Sequence, residues 1–176
     1  PEPPTFRLGP IAADPIRAFA DRIEGGTVAP APRAAGESCE VAVGGNWGDP
    51  RGASPCAEYL PLIFAAGDLR VDGGVGQGIR VVDGDLTLDG GAEFHGPVLL
   101  TGRLRLSGDA VIHGAVTRAG EGAANVVGEG RILYAVCSLW RAFAGSSLLE
   151  RPLRPRTRAW LPARRSARKR VRDARQ

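Results

Sequence analysis

Gly67-Asp68-Leu69-Arg70-Val71, Gly84-Asp85-Leu86-Thr87-Leu88 and Gly102-Arg103-Leu104-Arg105-Leu106 are three versions of one phrase, spaced 17 and 18 residues apart. Each alternates, so Leu and the aliphatic residue two places on share one side of a strand while Asp, Arg or Thr takes the other. A second phrase keeps step: Glu93-Phe94-His95-Gly96 and Val111-Ile112-His113-Gly114 are again 18 apart. Short apolar runs, 79–82 and 98–100, lie between, bounded by Gly, Asp and Pro as strands are. The period is too short for a helix-turn-helix unit and is written in Leu, Gly and β-branched residues, so each repeat reads as one coil of a β-solenoid. One coil cannot bury its own apolar side. Stacking several, about 4.8 Å apart, makes a continuous aliphatic interior with glycines at corners that need positive φ. The expected fold class is all-β, a short single-domain β-solenoid of three to four coils with short capping helices. Its core columns are Leu69, Leu86, Leu104 and Val71, Leu88, Leu106.

The 176 residues support one domain with an ordinary core. No apolar run approaches the roughly 20 residues needed to cross a bilayer, and no signal peptide is present. Methionine is absent. Since a translated product begins with one, an upstream segment holding a signal or membrane anchor is expected, and with it a cell-envelope or extracellular location. Charge is unevenly placed: residues 151–176 hold 11 Arg and Lys against Asp173, a net of +10, while the other 150 residues hold 12 basic and 18 acidic groups. Only Lys169 among the basic residues is lysine, as much a trace of GC-rich coding as of selection for phosphate contacts.

Along the chain, residues 1–36 read as an N-terminal helix and a Pro/Ala linker. Asp14-Pro15 is a helix start, Ile16, Phe19, Ala20 and Ile23 follow at one-face spacing, and Gly25-Gly26 ends the run. This helix is expected to cover one end of the solenoid. Residues 37–59 form a loop between Cys39 and Cys56 that contains Asn46-Trp47-Gly48-Asp49-Pro50, dense in turn formers. A disulfide there would restrict the unfolded chain by roughly 3 kcal/mol; two unrelated buried thiols are the alternative. The solenoid is expected over 60–137, starting with an initial or edge strand at 59–65 marked by Pro61 and closing with a last coil at 128–134. Residues 138–160 are the C-terminal cap, a helix capped by Ser138 with Trp140, Phe143 and Ala144 on one face, and Cys137 beside it is expected to be a buried thiol. Residues 161–176 are a basic, disordered tail.

Candidates for chemistry are few. Gly74-Val75-Gly76-Gln77-Gly78 is followed by no helix and no Gly-Lys-Ser/Thr, and Gly78 stands where a calcium nonapeptide needs Asp, so a solenoid corner is expected there. His95 and His113 stack on adjacent coils in an 18-residue register; with Glu93 they make the one metal-ligand set, against a default of outward polar stacking. Asp68 and Asp85 stack like the acid and base of polysaccharide-cleaving β-helices, but the third member of their column is Arg103, which neutralises the ladder. No cofactor and no enzyme activity are expected. The arginine tail offers a salt-sensitive contact to an anionic surface, and with no aromatic after Trp160 it offers no base-stacking platform and no specific nucleic-acid site.

From Cys39 to Trp160 the chain resembles the PilX-like envelope proteins linked to type IV pilus assembly. The resemblance is carried by Asn46-Trp47-Gly48-Asp49-Pro50 between Cys39 and Cys56, then Gly76-Gln77-Gly78-Ile79 with Val82-Asp83-Gly84-Asp85-Leu86, and finally Tyr134-Ala135-Val136-Cys137 and Arg158-Ala159-Trp160. Ala135 and Ala159 stand where that pattern has serine. It implies a non-enzymatic structural or assembly module of the bacterial cell envelope, associated with pili, with other envelope or pilus proteins as partners and self-association open. The glycine-punctuated stretch 84–116 is similar in style to bactofilins, cytoplasmic solenoid polymers that need no bridged loop. A carbohydrate-binding or carbohydrate-cleaving β-helix is the third reading.

Overall fold

The structure, a computed structural model, describes residues 7–8, 11–12, 16–118, 125–126 and 129–146. The expected tail and the Arg158-Ala159-Trp160 element lie outside the described residues. In chain order, β1 (Arg7–Leu8) pairs with β2 (Ile11–Ala12). Then come β3 (Arg22–Val28), the small ribbon β4 (Ala34–Ala35) and β5 (Ser38–Cys39), β6 (Leu62–Asp72), β7 (Val75–Gln77), β8 (Ile79–Val82) and β9 (Leu86–Asp89). After these follow β10 (Glu93–Leu100), β11 (Leu104–Leu106), β12 (Val111–Arg118), β13 (Asn125–Val126), β14 (Arg131–Leu133) and the helix α1 (Val136–Ala144).

Among the described residues all pairing apart from the two small ribbons is parallel, and it winds into a three-walled β-solenoid of about three turns. The first wall stacks β7, the start of β10, the start of β12 and β14. The second stacks the start of β3, the start of β6, β8 and the ends of β10 and β12. The third stacks the end of β3, the end of β6, β9, β11 and β13. The repeated phrase lies on the third wall in the expected register, with Leu69 on Leu86 on Leu104 and Val71 on Leu88 on Leu106, all six at most 2% exposed. Each such side chain taken from water contributes roughly 1.5–3 kcal/mol, so the column is the main apolar support of the coils.

Glycine sets how closely the coils approach at the corner between the first two walls. A Cβ on Gly96, whose φ is 138°, would lie 2.0 Å from the Gly78 carbonyl oxygen, and one on Gly114 would lie 2.0 Å from that of Gly96. No other residue fits there without opening the stack.

Several elements differ from expectation. Of the helix expected over 14–24, the described residues 16–20 form one turn, with Phe19 N–H on the Ile16 carbonyl and Ala20 N–H on that of Arg17, and the helix does not continue beyond it. By Arg22 the chain is already β3, because pairing to β6 outweighs the local helical pattern. Gly25-Gly26 is a bulge inside that strand and Ile23 is exposed. The strand around 62–65 is central, flanked by β3 and β8, and Pro61 stands just before it with its carbonyl accepting Ile79 N–H. The Pro/Ala stretch is also drawn in: Thr27 and Val28 belong to β3, and Pro30 is buried with its carbonyl accepting Val75 N–H.

Neither helical piece closes an end. The turn at 16–20 and α1 both lie along the outside of the second wall, where Ile16, Phe19, Ala20 and Ala142 pack on Leu62, Phe64, Ile79 and Val81. α1 begins after Ala135 with no side-chain cap, so Ser138 is inside the helix. Its expected apolar face is turned outward: Trp140 is 73% and Phe143 43% exposed. The inward residue is Ala142, because the wall approaches so closely at Gly96 that a Cβ on that glycine would sit 3.4 Å from the Ala142 methyl. Cys137, expected to be buried, is an exposed free thiol. Among the described residues no helix is long and apolar enough to cross a membrane.

Candidate functional site

The first wall carries the chemistry, and its lowest rung comes from the cysteine loop. Cys39 and Cys56 are bridged, with sulfurs 2.04 Å and Cα atoms 4.8 Å apart. Beside the bridge Asn46 is fully buried, its amide donating to the carbonyls of Arg33 (3.0 Å) and Glu40 (2.9 Å) while its oxygen accepts Gly48 N–H. These bonds set Trp47 flat beneath β7, where its carbonyl accepts Gln77 N–H at 2.7 Å and its ring lies against Gly76. Gln77, 1% exposed, reaches back to the carbonyls of Ala57 (2.7 Å) and Tyr59 (3.0 Å). From below, Arg22 donates to the carbonyls of Val41, Ala42 and Val43. The loop thus forms part of the solenoid as a rung clasped from both sides.

Arg80 points inside. It stands in register between Ile63 and Val98 on the second wall, with aliphatic neighbours on both sides, and is 1% exposed. Its guanidinium carbon lies 3.7 Å from the Trp47 ring centroid and 4.2 Å from that of Phe94. None of its three nitrogens has a hydrogen-bond partner among the described residues. Burial pulls its pKa down to about 9, with the Glu24 carboxylate acting in the opposite direction. The two aromatic faces replace part of the lost hydration through the ring quadrupoles.

Outside the first wall, β10 and β12 bring three ligand-type side chains together. His95 and His113 are in register, their rings stacked with centroids 4.3 Å apart and planes 19° from parallel. Glu93 Oε1 lies 2.7 Å from His95 Nε2 and 3.6 Å from His113 Nε2. The second carboxylate oxygen accepts from Arg51 of the bridged loop at 2.8 Å. Desolvation works to raise the Glu93 pKa, but hydrogen bonds from His95 and Arg51 and their charges outweigh it and hold the carboxyl below its usual range. Desolvation, with the neighbouring His95 and Arg131, lowers the His113 pKa and so favours a neutral imidazole. The three groups could hold a metal ion or relay a proton.

The third wall's outer face is committed elsewhere. Asp68 Oδ1 accepts Asp85 N–H at 2.8 Å, and Asp85 in turn accepts Arg103 N–H at 2.7 Å and Arg103 Nε at 3.0 Å. The backbone N–H of Arg103 foremost, together with its guanidinium and against desolvation, keeps the Asp85 carboxyl low. Asp68 and Asp85 therefore act as rungs of a hydrogen-bonded ladder beside a shallow depression lined by Asp85, Thr87, Arg103, Leu104 and Arg105.

The structure thus brings His95, His113 and Glu93 together as their spacing implied, and leaves Asp68 and Asp85 tied to backbone. Gln77, Arg51 and Arg80 were not foreseen. For Gln77 and Arg51 nothing local marks a contact 20 or 42 residues away; for Arg80 the signal was a single charge inside the apolar run 79–82. No protein-family model, curated protein or solved structure matches this chain.

Proposed function

We propose that this chain is a non-enzymatic structural or assembly module of the bacterial cell envelope that acts beside pilus components. The observation that carries this reading is the Cys39–Cys56 bridge, which makes the Trp47 rung a covalently closed part of the solenoid. Such bridges persist in oxidising compartments and are rare where thiols are kept reduced. The engagement of Asp68 and Asp85 in the backbone ladder supports a scaffold over a sugar-cleaving site, which needs carboxyls available to substrate. The resemblance in the Asn46-Trp47-Gly48-Asp49-Pro50 and Gly76-Gln77-Gly78 phrases supplies the pilus association.

Thiol trapping in intact cells of the native organism tests the compartment: Cys137 alone should take the label. Labelling of all three cysteines would contradict the envelope reading. Deleting the gene should reduce surface pili counted by electron microscopy, and an unchanged count would remove the pilus association while leaving the compartment result standing.

A polymer similar in style to bactofilins is the second reading, favoured by one observation. β14 ends the wall, Ile132, Leu133 and Tyr134 are exposed there, and among the described residues no strand pairs with its outer edge. Light scattering across a concentration series separates the two, since a module that works singly keeps one mass and a polymer does not.

A further inference from the structure

We propose that Glu93, His95 and His113 form a binding site for a late first-row divalent cation, zinc in the first instance. The donor set is two imidazole nitrogens and one carboxylate oxygen, which suits zinc, copper or nickel and not the all-oxygen cations calcium and magnesium. All three ligand atoms lie within 4.8 Å of one another. A tetrahedral zinc with bonds of about 2.0–2.1 Å needs its ligands about 3.3 Å apart, so the observed 2.7 and 3.6 Å from Glu93 Oε1 to the two imidazoles bracket the requirement. To bind, the two rings must turn out of their stack so that their in-plane lone pairs converge on one ion.

The scaffold holds those positions. Glu93 is paired with Val111 and His95 with His113 in an unbroken parallel ladder from residue 93 to 100, so the ligand-bearing backbone is set by main-chain hydrogen bonds before any ion arrives. The imidazole pair is flanked in its own column by Gln77 below and Leu133 above. Arg51 occupies Glu93 Oε2 and leaves Oε1 directed at the two rings, the usual arrangement in which an outer partner orients a ligating carboxylate. All three ligands are partly exposed, so an ion enters from solvent and keeps water in its remaining position. The bound ion would cross-link two coils and, through Arg51, tie the bridged loop to them.

The chain contains only two histidines, both in this cluster, and one unbridged cysteine, Cys137. Untagged full-length protein, stripped with chelator, is titrated with zinc chloride by calorimetry, and its copper(II) form is read by electron paramagnetic resonance. One zinc per chain is expected, with no heat from magnesium or calcium, and copper(II) should show coupling to two nitrogens. His95→Gln and His113→Gln should each remove one nitrogen coupling and weaken zinc by more than about tenfold, while Arg51→Gln should weaken it by about tenfold. Cys137→Ser should leave the titration unchanged. Metal-free melts of the histidine variants should fall only slightly below the parent, since each loses a partly exposed stacking or hydrogen-bonding contact and no core packing. Absence of stoichiometric zinc binding by the parent, a copper spectrum without two nitrogens, or binding that survives the double histidine variant would overturn the proposal.

Discussion

The columns Leu69–Leu86–Leu104 and Ile63–Arg80–Val98 occupy the same kind of place, inward positions of successive coils at most 2% exposed, and they are built on different terms. In the first each residue needs only its repeats above and below. In the second a guanidinium sits where an aliphatic side chain would do, and it is accommodated by Trp47, which reaches the interior only because a loop outside the repeat is closed by a disulfide and hydrogen-bonded to Gln77. The third wall is thus sustained by repetition, while the Arg80 column of the second wall leans on a covalent clasp that forms the foot of the first wall. A solenoid this short can have both, because each coil touches only its neighbours and a local irregularity need not propagate.

The largest effect is expected where repetition does all the work. Leu86→Asp places an unpartnered carboxylate between Leu69 and Leu104 and should cost roughly 4 kcal/mol or more, enough to unfold the domain in a urea titration. A midpoint near that of the parent would contradict the column.

Trp47→Ala, on the clasped wall, should cost about 3–5 kcal/mol. Arg80→Met should instead fall within about 1 kcal/mol of the parent or exceed it, because the desolvation penalty of an unpaired charge disappears along with two cation–π contacts. Equal losses in the two variants would mean that Arg80 supports the wall and Trp47 merely fills it. The pH dependence sharpens this contrast. Burial lowers the folded-state pKa of Arg80 to about 9, so above that pH the unfolded chain keeps a proton that the folded chain releases. Stability of the parent relative to Arg80→Met should therefore rise as pH climbs beyond about 9, and a flat difference would show that the buried charge is compensated.

Opening the clasp by Cys39→Ser should cost about 3 kcal/mol in thermal or chemical unfolding, the closure entropy of a loop whose ends are 17 residues apart. The smallest effect belongs to the outer ladder. Asp85→Asn should cost about 1 kcal/mol or less, since Arg103 is largely exposed. Because the folded pKa of Asp85 is depressed, what the group contributes is present at neutral pH and is lost as pH falls below about 4. A loss as large as that of Cys39→Ser would make the ladder a principal support.

The repeating wall was legible because its information is local and repeated: Gly-x-Leu-x-(Val/Leu) at spacings of 17 and 18 gives strand, corner and register together. The histidine pair came from the same periodicity, and the bridge was foreseen as one of two uses for Cys39 and Cys56. What failed depended on contacts between distant segments. Asp14-Pro15 and the spacing of Ile16, Phe19 and Ala20 describe a helix in isolation, but β6 offers Arg22–Val28 a strand to join. Trp140 and Phe143 looked like a buried face until the approach of α1 to Gly96 left room only for Ala142. Arg80 was read as one residue of an apolar strand; that both faces of β8 are buried depends on Phe19 and Ala142 covering its outer side.

Native-state hydrogen exchange on the Cys39→Ser/Cys56→Ser double variant tests most directly whether the third wall stands by repetition and the foot of the first by the clasp. The amides of Val75 and Gln77, bonded to the carbonyls of Pro30 and Trp47, should exchange about a hundredfold faster than in the parent. Those of Leu69 and Leu86, bonded to the carbonyls of Asp85 and Arg103, should open only with the whole domain and accelerate no more than the variant's loss of stability in urea requires. An opening free energy at Val75 and Gln77 equal to that at Leu69 and Leu86 in the double variant would contradict the account.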